Sequence, residues 1–397
     1  MNAQNTQKDN NKIGAGESAQ DAGSTNSVES KQATSRQLIA IIFILAIATK
    51  MFLLPIFLIR TTGRDAYIAM AIGGGIDLVA LGVIIAAMYL SRETDFFELL
   101  SVTIGKVGAK ITVGLIGLFL FFKLNTAVAE ILAFYGNNVL NGFNVTFMTV
   151  VLAVFFLAVG THTLRALCRL NELLVLLIVA CLTVLAVIVI LTGFDLANIF
   201  PALQHPASFT DGLLRHAAWI GDFTPLVLFV GRTKMKKSTG AFAAGAGAVG
   251  TAVALFFTMI MSAAFGNVPM LADSTTNLSN ILQFSIGNVY GRIDMFSSIL
   301  WSISVFIEAA LFFYATCRCV AFVIGKNAHF QIAIAVAALM YIVQLFALAD
   351  RTIFSLVVTS FSASFLTLAF TVATPLLALI CALISRRKNA DRGGNEK

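Results

Sequence analysis

Charge is what this sequence has least of: only 12% of its 397 residues are Asp, Glu, Lys or Arg, while 58% are hydrophobic. Soluble domains average about 25% charged residues, so most of this chain has no water-facing side to solvate. Histidine is sparse too, at four residues. His162, His205, His216 and His329 fall near the ends of apolar runs or in loops, unclustered. The five cysteines (Cys168, Cys181, Cys317, Cys319, Cys381) lie in or beside apolar runs. A disulfide framework or zinc site needs paired Cys/His groups in polar loops, so these read as small buried apolar side chains. The glycine-rich stretch GAFAAGAGAVG at 240–250 lacks the Lys-Ser/Thr of a nucleotide loop. With no nucleophile–base pair, metal cluster or cofactor loop, neither catalysis nor a cofactor is expected. With no interleaving of aromatic and basic residues, no nucleic acid is expected either.

What the chain does have is long apolar runs. About 20 apolar residues cross the hydrocarbon core as a helix. A spanning barrel would need short alternating segments instead, and none are seen. Ten runs qualify: 37–59, 65–90, 107–135, 145–161, 171–193, 213–231, 239–265, 294–324, 328–348 and 353–385. The expected fold class is therefore an all-α integral membrane protein of ten transmembrane helices. Residues 1–35, rich in Ser, Asn, Gln and Gly, cannot bury enough apolar surface to fold and read as a disordered tail with no signal-peptide core. The expected division is that tail, a membrane domain over 36–386 and a basic tail over 387–397. The polar stretch 266–293 reads either as an outer gate or partner surface, or as an ordinary long loop.

The 27 Lys and Arg residues are unevenly placed. With the N-terminus cytoplasmic, the inner side collects most of them, including Arg36, Arg92, Arg165, Arg169, Lys236, Lys237 and Arg386–Lys388, and the outer side receives only Arg60, Arg64, Arg215, Arg292 and Arg351. Positive charge marks cytoplasmic loops, so both termini are expected in the cytoplasm, and the net charge of +7 follows from topology. Small residues at 73–75, Gly114, Gly117 and 240–250 read as close helix packing.

A few charges remain at membrane depth: Lys50, Asp77, Lys123, Asp222 and Glu308. Facing lipid unpaired, each would cost several kcal/mol, so such groups turn inward and find partners. They read either as ion pairs locking helices together or as a substrate or ion pathway. Two runs also look interrupted. In ATKMFLLP (48–55) a Thr-Lys pair precedes Pro55, and in WIGDFTP (219–225) Gly221 and Asp222 precede Pro225. Proline removes a backbone donor and disfavours helix in the residue before it. Interruptions in runs one and six of ten point to two five-helix repeats, as in transporters whose half-helix ends hold a substrate at the midplane.

Four stretches together carry a resemblance: TSRQLIAIIFILAIATKMFLLP (34–55), GRDAYIAM (63–70), GRIDMFSSILWSISVFIEAALFFYA (291–315) and TPLLALICALISRRKN (374–389). The chain resembles, over residues 35–389, the B-subunit family of spore germination receptors within the amino acid–polyamine–organocation superfamily. The resemblance implies a leucine-transporter-like fold of ten helices in two inverted five-helix repeats, with helices one and six broken. It implies a small germinant, often an amino acid, bound by the B subunit, with a larger A subunit and a lipoprotein C subunit as partners in the inner membrane of a spore-forming bacterium. Helices one, three, six and eight line the ligand site of that fold, which assigns Thr49, Lys50, Met51, Lys123, Trp219, Ile220, Gly221, Asp222 and Glu308 to ligand binding, with Pro55 and Pro225 as hinges. Asp77, on helix two, falls outside this set. Asp222 stands where a Glu commonly follows the helix-six Gly, and the first break reads Ala-Thr-Lys rather than a Gly-Ser/Thr-Gly type. A lysine there could hold a ligand carboxylate or replace a bound sodium. The sequence thus points first to a germinant-receptor subunit, then to a proton-coupled amino-acid transporter, and last to a structural scaffold.

Overall fold

The computed structural model describes residues 34–51, 53–91, 94–135, 144–161, 164–192, 199–200, 202–203, 206–233, 235–265, 293–325, 328–346 and 360–394. Among them the structure is all-helical. In chain order the α-helices are α1 (Ser35–Ile47), α2 (Leu53–Thr62), α3 (Ala66–Ser91), α4 (Phe96–Phe134), α5 (Val145–Thr161) and α6 (Leu164–Thr192). Then come α7 (Pro206–His216), α8 (Lys237–Phe265), α9 (Ile293–Ile324), α10 (His329–Phe346) and α11 (Phe361–Gly394). Short 3-10 turns cover Gly63–Asp65, Ala217–Trp219 and Thr224–Phe229. The stretch 266–292 and most of the 1–35 tail lie outside the described residues, as do His162 and His205.

By length and composition, seven stretches of the described residues are apolar enough to cross a membrane, among them Leu54–Ser91, Phe96–Phe134, Trp301–Ile324 and Phe361–Arg387. Two shorter apolar helices, Ser35–Ile47 and Thr146–Thr161, accompany them. The exposure pattern is inverted relative to a soluble protein. Val79, Val107, Leu173 and Leu176 lie on the outer surface, while Lys50, Asp77, Lys123, Asp222 and Glu308 are all buried. In water, apolar patches of this kind would drive association; against lipid tails they are solvated.

Local signals fix several helix ends. Thr34 and Gln37 form a reciprocal capping box at the start of α1, with the Thr34 N–H donating to Gln37 Oε1 at 3.1 Å. This satisfies donors that the first turn of a helix leaves free. Helix α4 starts at Phe96, earlier than the apolar run at 107–135, but it is two helical pieces that meet at a kink where Gly105 leaves helical geometry (φ 79°), and the second piece matches that run. A left-handed residue within a helix is a conformation that glycine adopts at little cost. Helix α6 likewise begins at Leu164, where LRALCRL places Arg165 and Arg169 on its first turns. Helix α11 spans Phe361–Gly394, reaching well past residue 385.

Helix α4 packs along α9, α3 along α11 and α8, and α1 along α8 and α6. These seams use small residues, as membrane helices do where packing replaces the hydrophobic drive. A Cβ added at Gly250 would come within 2.5 Å of the Ala46 Cβ, and one at Gly117 within 2.9 Å of the Cys319 Cβ. Every cysteine is free and buried.

Candidate functional site

Two of the places where the chain leaves α-helix bring the charged groups together. Helix α1 ends at Ile47. The Ala48 N–H still reaches the Ile44 carbonyl at 2.9 Å and the Lys50 N–H the Ile47 carbonyl at 3.2 Å. Residues 48–51 then run in turns before α2. Pro55 lies in the first turn of α2, where its missing N–H costs no hydrogen bond. The second place follows α7. After the Ala217–Trp219 turn, Ile220 is extended (φ −79°, ψ 160°) and Gly221 takes φ +96°. Pro225 then opens the Thr224–Phe229 turn. Both prolines therefore start a new helical piece rather than kink a continuous one.

Four buried charges join these two places. Lys50 Nζ lies 2.5 Å from Asp77 Oδ2 and 3.0 Å from Asp222 Oδ2. Lys123 Nζ lies 2.7 Å from Asp222 Oδ1. None of the four is more than 5% exposed. Moving isolated charges from water costs several kcal/mol each, which attraction recovers only with good geometry and further hydrogen bonds. Both conditions are met here. Two ammonium groups face two carboxylates, so the group is neutral as a whole, and the Thr49 hydroxyl donates to Asp222 Oδ2 at 3.4 Å. The ammonium groups also sit over aromatic faces, Lys50 5.6 Å from the Phe223 ring centre and Lys123 6.0 Å from that of Phe312.

The same charges hold the backbone where it is not helical. The Gly221 N–H donates to Asp77 Oδ1 at 2.7 Å, and Lys123 Nζ donates to the Ile220 carbonyl at 3.3 Å. A buried peptide group without a partner is costly, and here adjacent residues receive theirs from side chains on α3 and α4. Glycine is required at 221 twice over. Its left-handed φ is unfavourable for other residues, and an added Cβ would collide with the Thr371 hydroxyl on α11.

Of the residues assigned to ligand binding, Thr49, Lys50, Lys123, Ile220, Gly221 and Asp222 form one connected cluster. Met51 is buried among apolar neighbours. Trp219 packs on Phe57, with ring centres 4.6 Å apart, and its Nε1–H donates to Glu130 Oε1 at 2.6 Å. Glu308 is fully buried on α9, one turn before Phe312, whose ring lies under Lys123 Nζ. Among the described residues neither Glu308 oxygen has a hydrogen-bond partner.

Three placements differ from the sequence reading. Asp77, set outside the site because it lies on helix two, is a full member of the charged cluster. Glu130, not singled out at all, is fully buried beside Trp219. It lies two turns along α4 from Lys123 and hence on the same face, a spacing visible in the sequence. His216, set aside as a span-end residue, is buried with its ring against Gly73. In addition, Lys50, read as a group that could hold a ligand carboxylate, is already paired with two carboxylates.

The fold is shared with known transporters. MhsT in complex with L-phenylalanine superposes with a TM-score of 0.60 at 14% identity, covering 88% of this chain and 98% of that one. MHP1, a nucleobase-cation-symport-1 family transporter in a closed conformation with bromovinylhydantoin bound, gives 0.58 at 14% identity over 90% and 92%. Both have the leucine-transporter fold. No curated protein matches the chain in sequence. The family model of the spore germination protein, a spore permease family, matches residues 32–352, and over that length the chain belongs to the spore germination permease family.

Proposed function

We propose that this protein is the ligand-binding subunit of a spore germinant receptor, taking a small solute, an amino acid or similar, in a midplane pocket beside the two non-helical segments. The observation that carries this reading is the buried charge cluster Lys50–Asp77–Asp222–Lys123, which holds the unwound backbone at Ile220 and Gly221. A cluster that both neutralises charge and fixes backbone is a two-state element: it is either closed or broken. A ligand biases such an equilibrium only through different affinities for the two states.

In this reading there are ten spans in two inverted five-helix repeats. Span one is α1 with α2, and span six runs from α7 through the Thr224–Phe229 turn; the remaining helices each supply one. Pro55 and Pro225 serve as hinges. Both termini, with tails over 1–35 and 387–397, lie in the cytoplasm of a spore-forming bacterium whose inner membrane holds the protein. The germinant-receptor A subunit and lipoprotein C subunit receive the signal.

A second reading, a proton-coupled amino-acid transporter, draws on Lys50, whose Nζ sits between two carboxylates. A buried amine so placed can exchange a proton as the cluster opens. Counterflow in liposomes separates the two. The receptor reading expects saturable binding without accumulation. Accumulation of an amino acid driven by a proton gradient would overturn it in favour of transport. If Lys50→Ala and Asp222→Ala both leave binding unchanged, the assignment of the pocket fails.

A further inference from the structure

The charged cluster is internally balanced, two lysines against two aspartates, and next to it lie two carboxyl side chains that nothing balances. Glu308 is fully buried, and among the described residues both of its oxygens lack a hydrogen-bond partner. Glu130 is 1% exposed; Oε1 accepts from the Trp219 indole and Oε2 has no partner. Glu308 lies one turn of α9 before Phe312, the ring under Lys123 Nζ, so both face the cluster. On α4, Glu130 lies two turns beyond Lys123, roughly 10 Å along the axis; α4 and α9 run antiparallel, with Gly117 against Cys319 and Phe134 against Trp301, which sets Glu308 between the levels of Lys123 and Glu130. Buried carboxyl oxygens are hydrogen-bonded in almost every folded protein. Three unpaired ones flanking a saturated ion network call for a partner that donates.

We propose that Glu130 and Glu308 form the subsite for the ligand's ammonium group, and that the site selects its ligand by positive charge rather than by a carboxylate. The lysines are the only cations in the cluster, and a ligand carboxylate would have to break an existing ion pair to reach one. An ammonium group meets carboxyl oxygens that no side chain of the described residues already holds. A primary amine brings three N–H donors, matching the three open oxygens. Amines and zwitterions therefore bind through the same two glutamates, and the ligand's carboxyl group contributes little.

This inference rests on the pocket reading above, and the test separates the two. Full-length protein in lipid nanodiscs is titrated with n-alkylammonium ions (methyl to butyl), matched n-alkyl carboxylates and matched amino acids, reading the melting temperature and calorimetric affinity. The ammonium series and the amino acids are expected to stabilise the protein, and the carboxylates to leave it unmoved. Glu308→Gln, which keeps size and removes charge, should weaken ammonium binding by about tenfold or more, the value of a hydrogen bond to a charged group. Glu130→Gln should weaken it less, since the Trp219 contact survives. Unliganded Glu308→Gln should melt no lower than wild type, because the side chain keeps its size and no side-chain hydrogen bond of Glu308 is lost; this shows that the variant folds. Stabilisation by the carboxylate series, or ammonium binding indifferent to both substitutions, overturns the ammonium subsite alone. Absence of binding by all three series overturns it together with the pocket reading.

Discussion

Two ion-paired regions of this protein have nearly the same geometry and very different surroundings. In the core, Lys50 and Asp77 meet at 2.5 Å with side chains 3% and 1% exposed. At the end of the Thr224–Phe229 turn, Arg232 meets Asp95, the residue before α4, at 2.6 Å with side chains 19% and 33% exposed. The distances alone would rank these contacts equal. Burial separates them: an exposed pair is held against water that solvates either partner well, whereas a buried one is held against an uncompensated charge in a low dielectric. The core pairs are therefore a constraint on which conformations exist, and the outer pair is a modest fastening between two elements.

Asp222→Ala tests that difference most severely, since Lys123 loses its carboxylate and Lys50 one of two. A cost of about 3–5 kcal/mol is expected from breaking a buried pair, read as a lowered melting temperature in nanodiscs. A loss no larger than that of a surface pair would mean that water reaches the cluster. The charge-balanced double variant Lys123→Met/Asp222→Asn sharpens the point. It should recover much of that loss, because it leaves Lys50 with Asp77 and no unpaired charge. A double variant as unstable as Asp222→Ala would show that geometry, not charge, dominates.

Gly221→Ala comes next, at about 2 kcal/mol or more from its left-handed backbone and the collision with Thr371, again by thermal unfolding. At the outer pair, Arg232→Ala should cost about 1 kcal/mol or less and lose most of its effect in high salt, which the core variants should not. The smallest effect belongs to Arg215→Ala. Its pair with Asp211 on α7 is 43% and 60% exposed, and pairs one turn apart on a helix are worth about 0.3–0.5 kcal/mol. An Arg232→Ala effect insensitive to salt would erase the distinction between the two regions.

How much of this was legible in the sequence depended on how local the cause was. Apolar runs bounded by polar residues were readable, so the helix over Val145–Thr161 has the range expected and the one ending at Ile324 differs by a residue. Starts within mixed sequence were not. FFELLSVTI carries Glu98 and stops before Gly105, which is a real break in helical geometry, and no apolar run announced this first piece of α4 as a helix of its own. For the site, a charge inside an apolar run declares itself, and Lys50, Lys123, Asp222 and Glu308 did. Which face of its helix Asp77 presents depends on contacts with residues far along the chain, and no pattern in one sequence supplies them. Glu130 sits near the end of its run, where a charge draws no attention. Its spacing from Lys123 was the available signal.

The five buried cysteines have a practical consequence. A thiol reacts as its thiolate at a surface that reagent and water can both reach, and Cys168, Cys181, Cys317, Cys319 and Cys381 offer no such surface. The native chain is thus already nearly silent to water-soluble maleimides. A single cysteine introduced on the exposed flank of α7, at Thr210 for example, would carry a spectroscopic label in an otherwise unmodified protein. It would report directly whether that half of the molecule moves when a solute arrives.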